Sequence, residues 1–105
     1  GPFRFMDTYI FVNSSDAMEL VNGGTPYMEG KNVAHLKDAH GTPLAVNCIK
    51  AAKEKGSAWL DCYWYKPGDD FASLKKTYVR KVEHEKETYI VGSGFYFENR
   101  PTKVH

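Results

Sequence analysis

The segment SAWLDCYWYKPGDD, from Ser57 to Asp70, carries four aromatic side chains within positions 59–65 and then breaks at a proline and a glycine. Rings at that density either fill a core or wall a pocket, where a rigid apolar surface excludes water around a small molecule. A period of two divides the segment into Leu60, Cys62 and Trp64 on one face and Trp59, Asp61, Tyr63 and Tyr65 on the other. The first set is apolar apart from an indole N–H and belongs on the better-buried side. The second has a carboxylate among its rings and suits partial exposure. Trp64 is open to both roles, core packing and pocket wall, while Asp61 reads as a surface or turn-supporting residue.

Other reactive residue types do not assemble into a catalytic pattern. His35, His40, His84 and His105 are scattered, and none stands with a serine or cysteine in a nucleophile arrangement. Asp69 and Asp70 follow a turn glycine, where acidic side chains commonly bond local backbone. No spacing among Asp, Glu, His and Cys is diagnostic of a metal, and Cys48 and Cys62 form neither a zinc pair nor a haem attachment sequence. The two cysteines read as buried free thiols, or as one bridge between a helix and a strand if the domain is exported and their Cα atoms come within about 7 Å. The GSG triplet at Gly92 to Gly94 lies late in a predicted antiparallel strand, so it points to close packing, a bulge or the approach of another backbone instead of phosphate binding. No catalytic residue and no cofactor are expected.

Positioning falls to a single domain, since 105 residues cannot supply two useful cores. Fourteen basic and thirteen acidic residues mix along the chain for a net charge of +1, which gives no stripe for nucleic acid. The densest basic run, KKTYVRK from Lys75 to Lys81, alternates with apolar residues and reads as the wet side of a strand. No apolar run reaches the ~20 residues of a membrane span, so the chain itself is expected to be soluble. It opens without a methionine, which fits a processed or excised piece of a longer protein, with Gly1 and Pro2 as a cleavage scar and an anchor or signal elsewhere in the parent.

The elements follow from punctuation and periodicity. TYIFV from Thr8 to Val12 is a strand, NSSD a turn, and AMELVN the antiparallel return, closed by Gly23 and Gly24. The polar stretch to Pro43 is a connector with a short helical turn around Val33 to Lys37. PLAVNCIKAAKEKG is a helix, with Thr42 as N-cap, Pro43 at its first position, Gly56 at its end, and Leu44, Cys48, Ile49 and Ala52 on its packing face. Three strands follow: AWLDCYWY, LKKTYVRKV and TYIVGSGFYF, the last two separated by EHEKE. The result is an α+β fold, a five-stranded antiparallel sheet with a helical crossover on one face. The sheet's other face awaits a cover: the loop after the second strand, a helix upstream of Gly1, or a second subunit.

The order GSAWLDCYWYKPG, LKKTYVRKV, ETYIVGSGFY, extending back through PYMEGKNVAHLKDAHGTP, resembles the extracytoplasmic single Cache sensory domains of bacterial and archaeal chemoreceptors and sensor kinases. The resemblance runs from Tyr9 to Tyr96 and implies a PAS-like sheet, a domain at 1–105 with its core at about 8–97, and a periplasmic or extracellular sensory role. Membrane-bound relatives carry a long helix before the first strand, whereas only seven residues precede Thr8 here, as expected of either a trimmed domain or a shorter form that borrows the missing cover by association.

What the family implies for the site is a pocket for a small organic molecule, commonly a short carboxylate. Trp64 matches the strand-ending tryptophan and serves as a wall, Lys75 matches the family lysine and supplies charge, and Tyr78 matches the tyrosine after it and supplies a hydroxyl. Cys62 stands where many relatives have tyrosine, which changes the pocket's volume and removes a donor. Alternation in LKKTYVR opposes part of this set: Lys75, Thr77 and Val79 share one face, Lys76, Tyr78 and Arg80 the other, so Lys75 and Tyr78 meet only across a strand entry or a bulge. The alternative function is a non-enzymatic interaction or homodimerisation module with a vestigial pocket.

Overall fold

The computed structural model describes residues 9–66 and 68–96. The expected core limits at Thr8 and Phe97, the scar at Gly1 and Pro2, and the proline of the KPG turn lie outside the described residues.

β1 (Tyr9–Ser14) and β2 (Glu19–Asn22) form the opening hairpin, and α1 (Leu44–Lys55) leads into β3 (Ser57–Tyr65), β4 (Ala72–His84) and β5 (Glu87–Tyr96). All neighbouring strands are antiparallel, in the spatial order β2-β1-β5-β4-β3. The last strand therefore sits in the centre, between the first and the fourth. The long connection from β2 to β3 must travel from one edge of the sheet to the other, and in doing so it covers one face. This is the α+β architecture expected from the strand and helix signals.

Local chemistry explains the joints. Gly56 ends α1 at φ 82°, with its N–H on the Ala52 carbonyl, and the chain turns directly into β3. Glu85 and Lys86 have φ of 50° and 68°, the two positive values of a tight hairpin turn whose twist matches the strands it joins. Thr42 does not cap α1. Its N–H donates to Asp38 Oδ1 and its carbonyl accepts from the Asp38 N–H, so the helix starts after Pro43, which takes the cap position with extended backbone. The expected helical turn at Val33 to Lys37 is a single turn closed by the Leu36 N–H on the Val33 carbonyl and does not continue as a helix; the helical segment of this connector is a 3-10 turn at Pro26–Met28. β1 runs two residues further than expected, to Ser14, because Asn13 and Ser14 continue the ladder with β5.

The core lies between the inner face of the sheet and the α1 layer. Val79, Ile90 and Ala52 are fully buried, with Phe11, Val33, Cys48 and Ile49 around them. The opposite face of the sheet is open: Trp59 is 60% exposed and Ile10, Tyr63, Tyr65 and Val82 also reach solvent.

Candidate ligand-binding site

A cavity of about 100 Å³ opens between the inner face of β1, β2 and β4 and the connector above it. Tyr9, Phe11, Asn13, Glu19, Lys75 and Thr77 form its floor, and the end of β3 contributes Trp64. Tyr27, Met28, Val33 and Leu36 from the connector and Leu44, Ala45 and Cys48 from α1 form its roof. A water molecule occupies ~30 Å³ in the liquid, so the space suits a molecule of a few heavy atoms. The walls are mainly apolar and carry a few convergent polar groups, the composition of a specific small-molecule site.

Lys75 is the charged centre of the floor. Only 5% of it is exposed, and its ammonium donates to the Tyr9 hydroxyl, 4.7 Å from the centroid of the Tyr9 ring and 5.9 Å from that of Tyr96. The reach from β4 to β1 passes over β5 at Gly94, where an added Cβ would stand 2.4 Å from Lys75 Cε. Among the described residues no carboxylate lies within 4.0 Å of this ammonium; the ion pairs there are Lys76 with Asp61 and His84 with Glu85, both on the surface. A buried ammonium held, among the described residues, by a phenol and two ring faces keeps further donors and is attractive to an anion.

Glu19 lies in the same cavity, 6% exposed. Its oxygens accept from Asn13 Nδ2 and Asn22 Nδ2, and burial pushes its carboxyl above the usual range against the pull of those amides and of Lys75. Glu19 and Asn22 are three residues apart and would fall on opposite faces of a regular strand. They share the inner face because the β1–β2 register slips by one between Val12 and Asn13, leaving Leu20 without a partner.

The connector that roofs the cavity is clamped by Asp38. Its Oδ1 accepts from the N–H groups of His40 and Thr42, its Oδ2 from that of Tyr63 on β3, and the His40 ring stacks on Tyr63 at 4.1 Å. Burial raises its carboxyl, but the three N–H donors and His40 outweigh burial and hold it below the ordinary value.

The four residues singled out from the sequence divide. Trp64 and Lys75 line the cavity together. Cys62 is buried beside a separate void of about 20 Å³, too small for an organic ligand, under Leu60 and Thr77. Tyr78 is on the opposite face of the sheet, tilted against Trp59 at 5.1 Å, and Phe95 meets the same indole edge-on at 5.8 Å. The β3–β4 and β4–β5 registers run without a break past Lys75 and Tyr78, so no bulge brings the two to one face. The hydroxyl that stands beside Lys75 in the cavity is that of Tyr9. The alternation in YIFVN, which groups Tyr9, Phe11 and Asn13, is the signal that marks it. Both cysteines are free and buried. Among the described residues no group of three or more His, Cys, Asp or Glu side chains is arranged as a metal site, and no helix is long and apolar enough to cross a membrane.

The sequence model of the Cache domain (dCache_2) matches residues 2–105. The chain belongs to the Cache domain family. Solved structures agree with the fold. This Cache domain is similar to a periplasmic sensor domain of a chemotaxis protein at 24% identity and TM-score 0.76, covering 91% of this chain and 66% of that one. It is similar to a Cache chemosensory domain described for carboxylic acid recognition at 25% identity and TM-score 0.77, covering 89% and 62%. A methyl-accepting chemotaxis protein from Vibrio parahaemolyticus matches at 27% identity and TM-score 0.75, covering 93% and 65%. The chain thus spans a little under two thirds of the length of these solved chains. Membership carries the general role of Cache domains, extracytoplasmic sensory ligand binding.

Proposed function

We propose that this Cache domain is the sensing part of a signal-transducing protein, acts outside the cytoplasm without catalysis, and takes into its cavity a small organic molecule bearing a carboxylate. The observation that carries this reading is Lys75, a buried ammonium on the floor of a small apolar cavity, with no carboxylate within ion-pair distance among the described residues. An incoming carboxylate gains charge-assisted hydrogen bonds from the ammonium, while Trp64, Phe11 and Tyr9 exclude water around its carbon chain. The likeness to a domain described for carboxylic acid recognition points the same way. Chemotaxis or another output follows from whatever region the parent protein attaches, and a membrane anchor belongs to that parent.

Calorimetric titration of the purified domain with short mono- and dicarboxylic acids, and with the matching neutral amides, tests the reading. Saturable binding of at least one acid and none of its amide is expected. A folded domain that binds no member of the panel would remove the carboxylate function and leave the alternative, association through the aromatic outer face around Trp59 and Tyr63. Concentration-dependent dimerisation in sedimentation, without ligand binding, is the result that reading requires.

A further inference from the structure

The roof of the cavity is not anchored evenly. Its part nearest the opening hairpin, Gly24 to Glu29, holds only the 3-10 turn Pro26–Met28, none of whose residues is buried, although Tyr27 and Met28 both line the cavity. We infer that this segment is a lid over the cavity mouth, latched shut by Asn22, and that Asn22 ties the lid to Glu19 inside the cavity. The inference rests on the cavity as the ligand site and concerns how that site opens, whatever acid it takes.

The chain is pinned on both sides of the segment. The Gly23 N–H donates to the Ile10 carbonyl at 3.0 Å. Beyond the segment, the Gly30 N–H donates to the Glu19 carbonyl at 2.7 Å, and the Glu19 N–H donates to the Lys31 carbonyl at 2.9 Å. Gly30 has φ 85° and open space where a Cβ would stand, so its torsions can change at little steric cost, as a hinge requires.

Between the pins, the hydrogen bonds that hold the segment to the sheet all run to Asn22 among the described residues. Asn22 Oδ1 accepts from the N–H groups of Gly24 at 3.0 Å and Thr25 at 2.7 Å, and the Asn22 N–H donates to Glu29 Oε2 at 2.8 Å. The other bonds there run within the segment or to Lys31 just past it. An amide oxygen that faces two N–H groups leaves its NH₂ to point the other way, and that NH₂ donates to Glu19 Oε2. One side chain, 6% exposed, thus holds the lid at one end and a cavity carboxylate at the other.

The lid closes directly on the site. Tyr27 lines the cavity while 73% exposed, as a rim residue does. Gly24 lies against the ring of Tyr9, the partner of Lys75, so closely that an added Cβ would stand 2.7 Å from Tyr9 Cδ1. A ligand enclosed by Tyr27 and Met28 binds the latched state better than the open one and shifts the population toward closure.

Acrylamide quenching of Trp64 reads the opening without a ligand. The chain has two tryptophans, so Trp59→Phe on the outer face leaves Trp64, on the cavity wall, as its one indole. In that background Asn22→Ala is expected to raise the quenching constant at least about threefold. Amide exchange of Gly24 and Thr25 should rise about tenfold or more, with that of Val79 and Ile90 in the core unchanged. Glu19→Ala keeps the lid's own bonds and removes the partner of the Asn22 NH₂, and is expected to speed the same two amides by a smaller factor. Quenching and exchange in Asn22→Ala equal to those of its parent overturn the lid, and an unchanged Glu19→Ala overturns the tie to Glu19. The wild type supplies a comparison that needs no variant to fold: Gly24 and Thr25 should exchange at least about a hundredfold faster than Val79 and Ile90, and equal rates overturn the lid. No ligand enters these measurements, so a failure of the lid leaves the carboxylate reading standing, and a failure of the acid panel leaves the lid result as it is.

Discussion

The ammonium of Lys75 on β4 donates to the hydroxyl of Tyr9 on β1 across the intervening β5. Two side chains from strands that are not neighbours can meet on the face of a sheet only if the strand between them is bare at the crossing point. Gly94 supplies that bare point. It is the register partner of Tyr9 on one side and of Thr77 on the other.

Replacing Gly94 therefore separates binding from folding. In Gly94→Ala the new methyl group meets the flexible end of Lys75, which can move aside, so the stability change is expected to stay within about 1 kcal/mol. The displaced ammonium should lose affinity for the ligand by about tenfold or more. Thermal melting and calorimetry on the same sample read both quantities, and unchanged affinity would detach Gly94 from the site.

Gly92 differs from Gly94 by what stands over it. A Cβ there would lie 2.3 Å from Phe11 Cζ, and Phe11 is a core ring with the cavity on one side and packed neighbours on the other. Gly92→Ala is expected to cost about 2 to 3 kcal/mol in denaturant unfolding, more than Gly94→Ala. The reverse order would contradict the packing described.

The contrast between these glycines shows what a sequence reveals and what it withholds. Period-two alternation correctly grouped Leu60, Cys62 and Trp64 on the inner face of β3, and Gly56 marked the helix end, because both signals are local. The close-packing reading of GSG also holds, though only the register assigns one glycine to Phe11 and the other to Lys75. Family spacing drew Tyr78 into the site although the alternation of β4 opposed it, and in the structure that alternation governs. Tyr9 lies 66 positions from Lys75, a distance no motif spans. Glu19 and Asn22 share a face through a register slip, which leaves no mark in ELVN.

The cysteines should behave as inert core side chains. Burial pushes the Cys48 thiol up to about 12, and burial also raises Cys62 despite the nearby Lys75. Near pH 8 neither forms an appreciable thiolate, so the native domain should react with a thiol reagent far more slowly than the unfolded chain. Denatured without reductant, the protein should release two reactive thiols. A value of zero would mean that Cys48 and Cys62 are bridged.

Two carboxyls should shape stability against pH in opposite senses. Glu19 holds its proton more tightly folded than unfolded, so from 4.5 up to its raised folded value folding takes up a proton and its contribution falls as pH rises. Asp38 holds its proton less tightly folded, so its contribution is present above 3.8 and is lost as pH falls through its lowered folded value. Melting curves should show the gap between wild type and Asp38→Ala closing in acid, and the gap between wild type and Glu19→Gln shifting against the wild type as pH rises above 4.5. At neutral pH Asp38→Ala is expected to cost about 3 kcal/mol, because three backbone donors lose a charged acceptor. Pair differences that are flat in pH would remove both assignments.

The most direct test of the account is the affinity of the tightest-binding acid for Lys75→Met and Tyr78→Phe, measured by calorimetry beside the wild type and with melting temperatures as a check on folding. Lys75→Met keeps the chain length and removes the charge, and is expected to weaken binding by on the order of 10 to 100-fold. Tyr78→Phe removes a hydroxyl from the opposite face of the sheet and is expected to bind as the wild type does. Undiminished affinity in a folded Lys75→Met, or a loss in Tyr78→Phe as large as that in Lys75→Met, would contradict the cavity as the site.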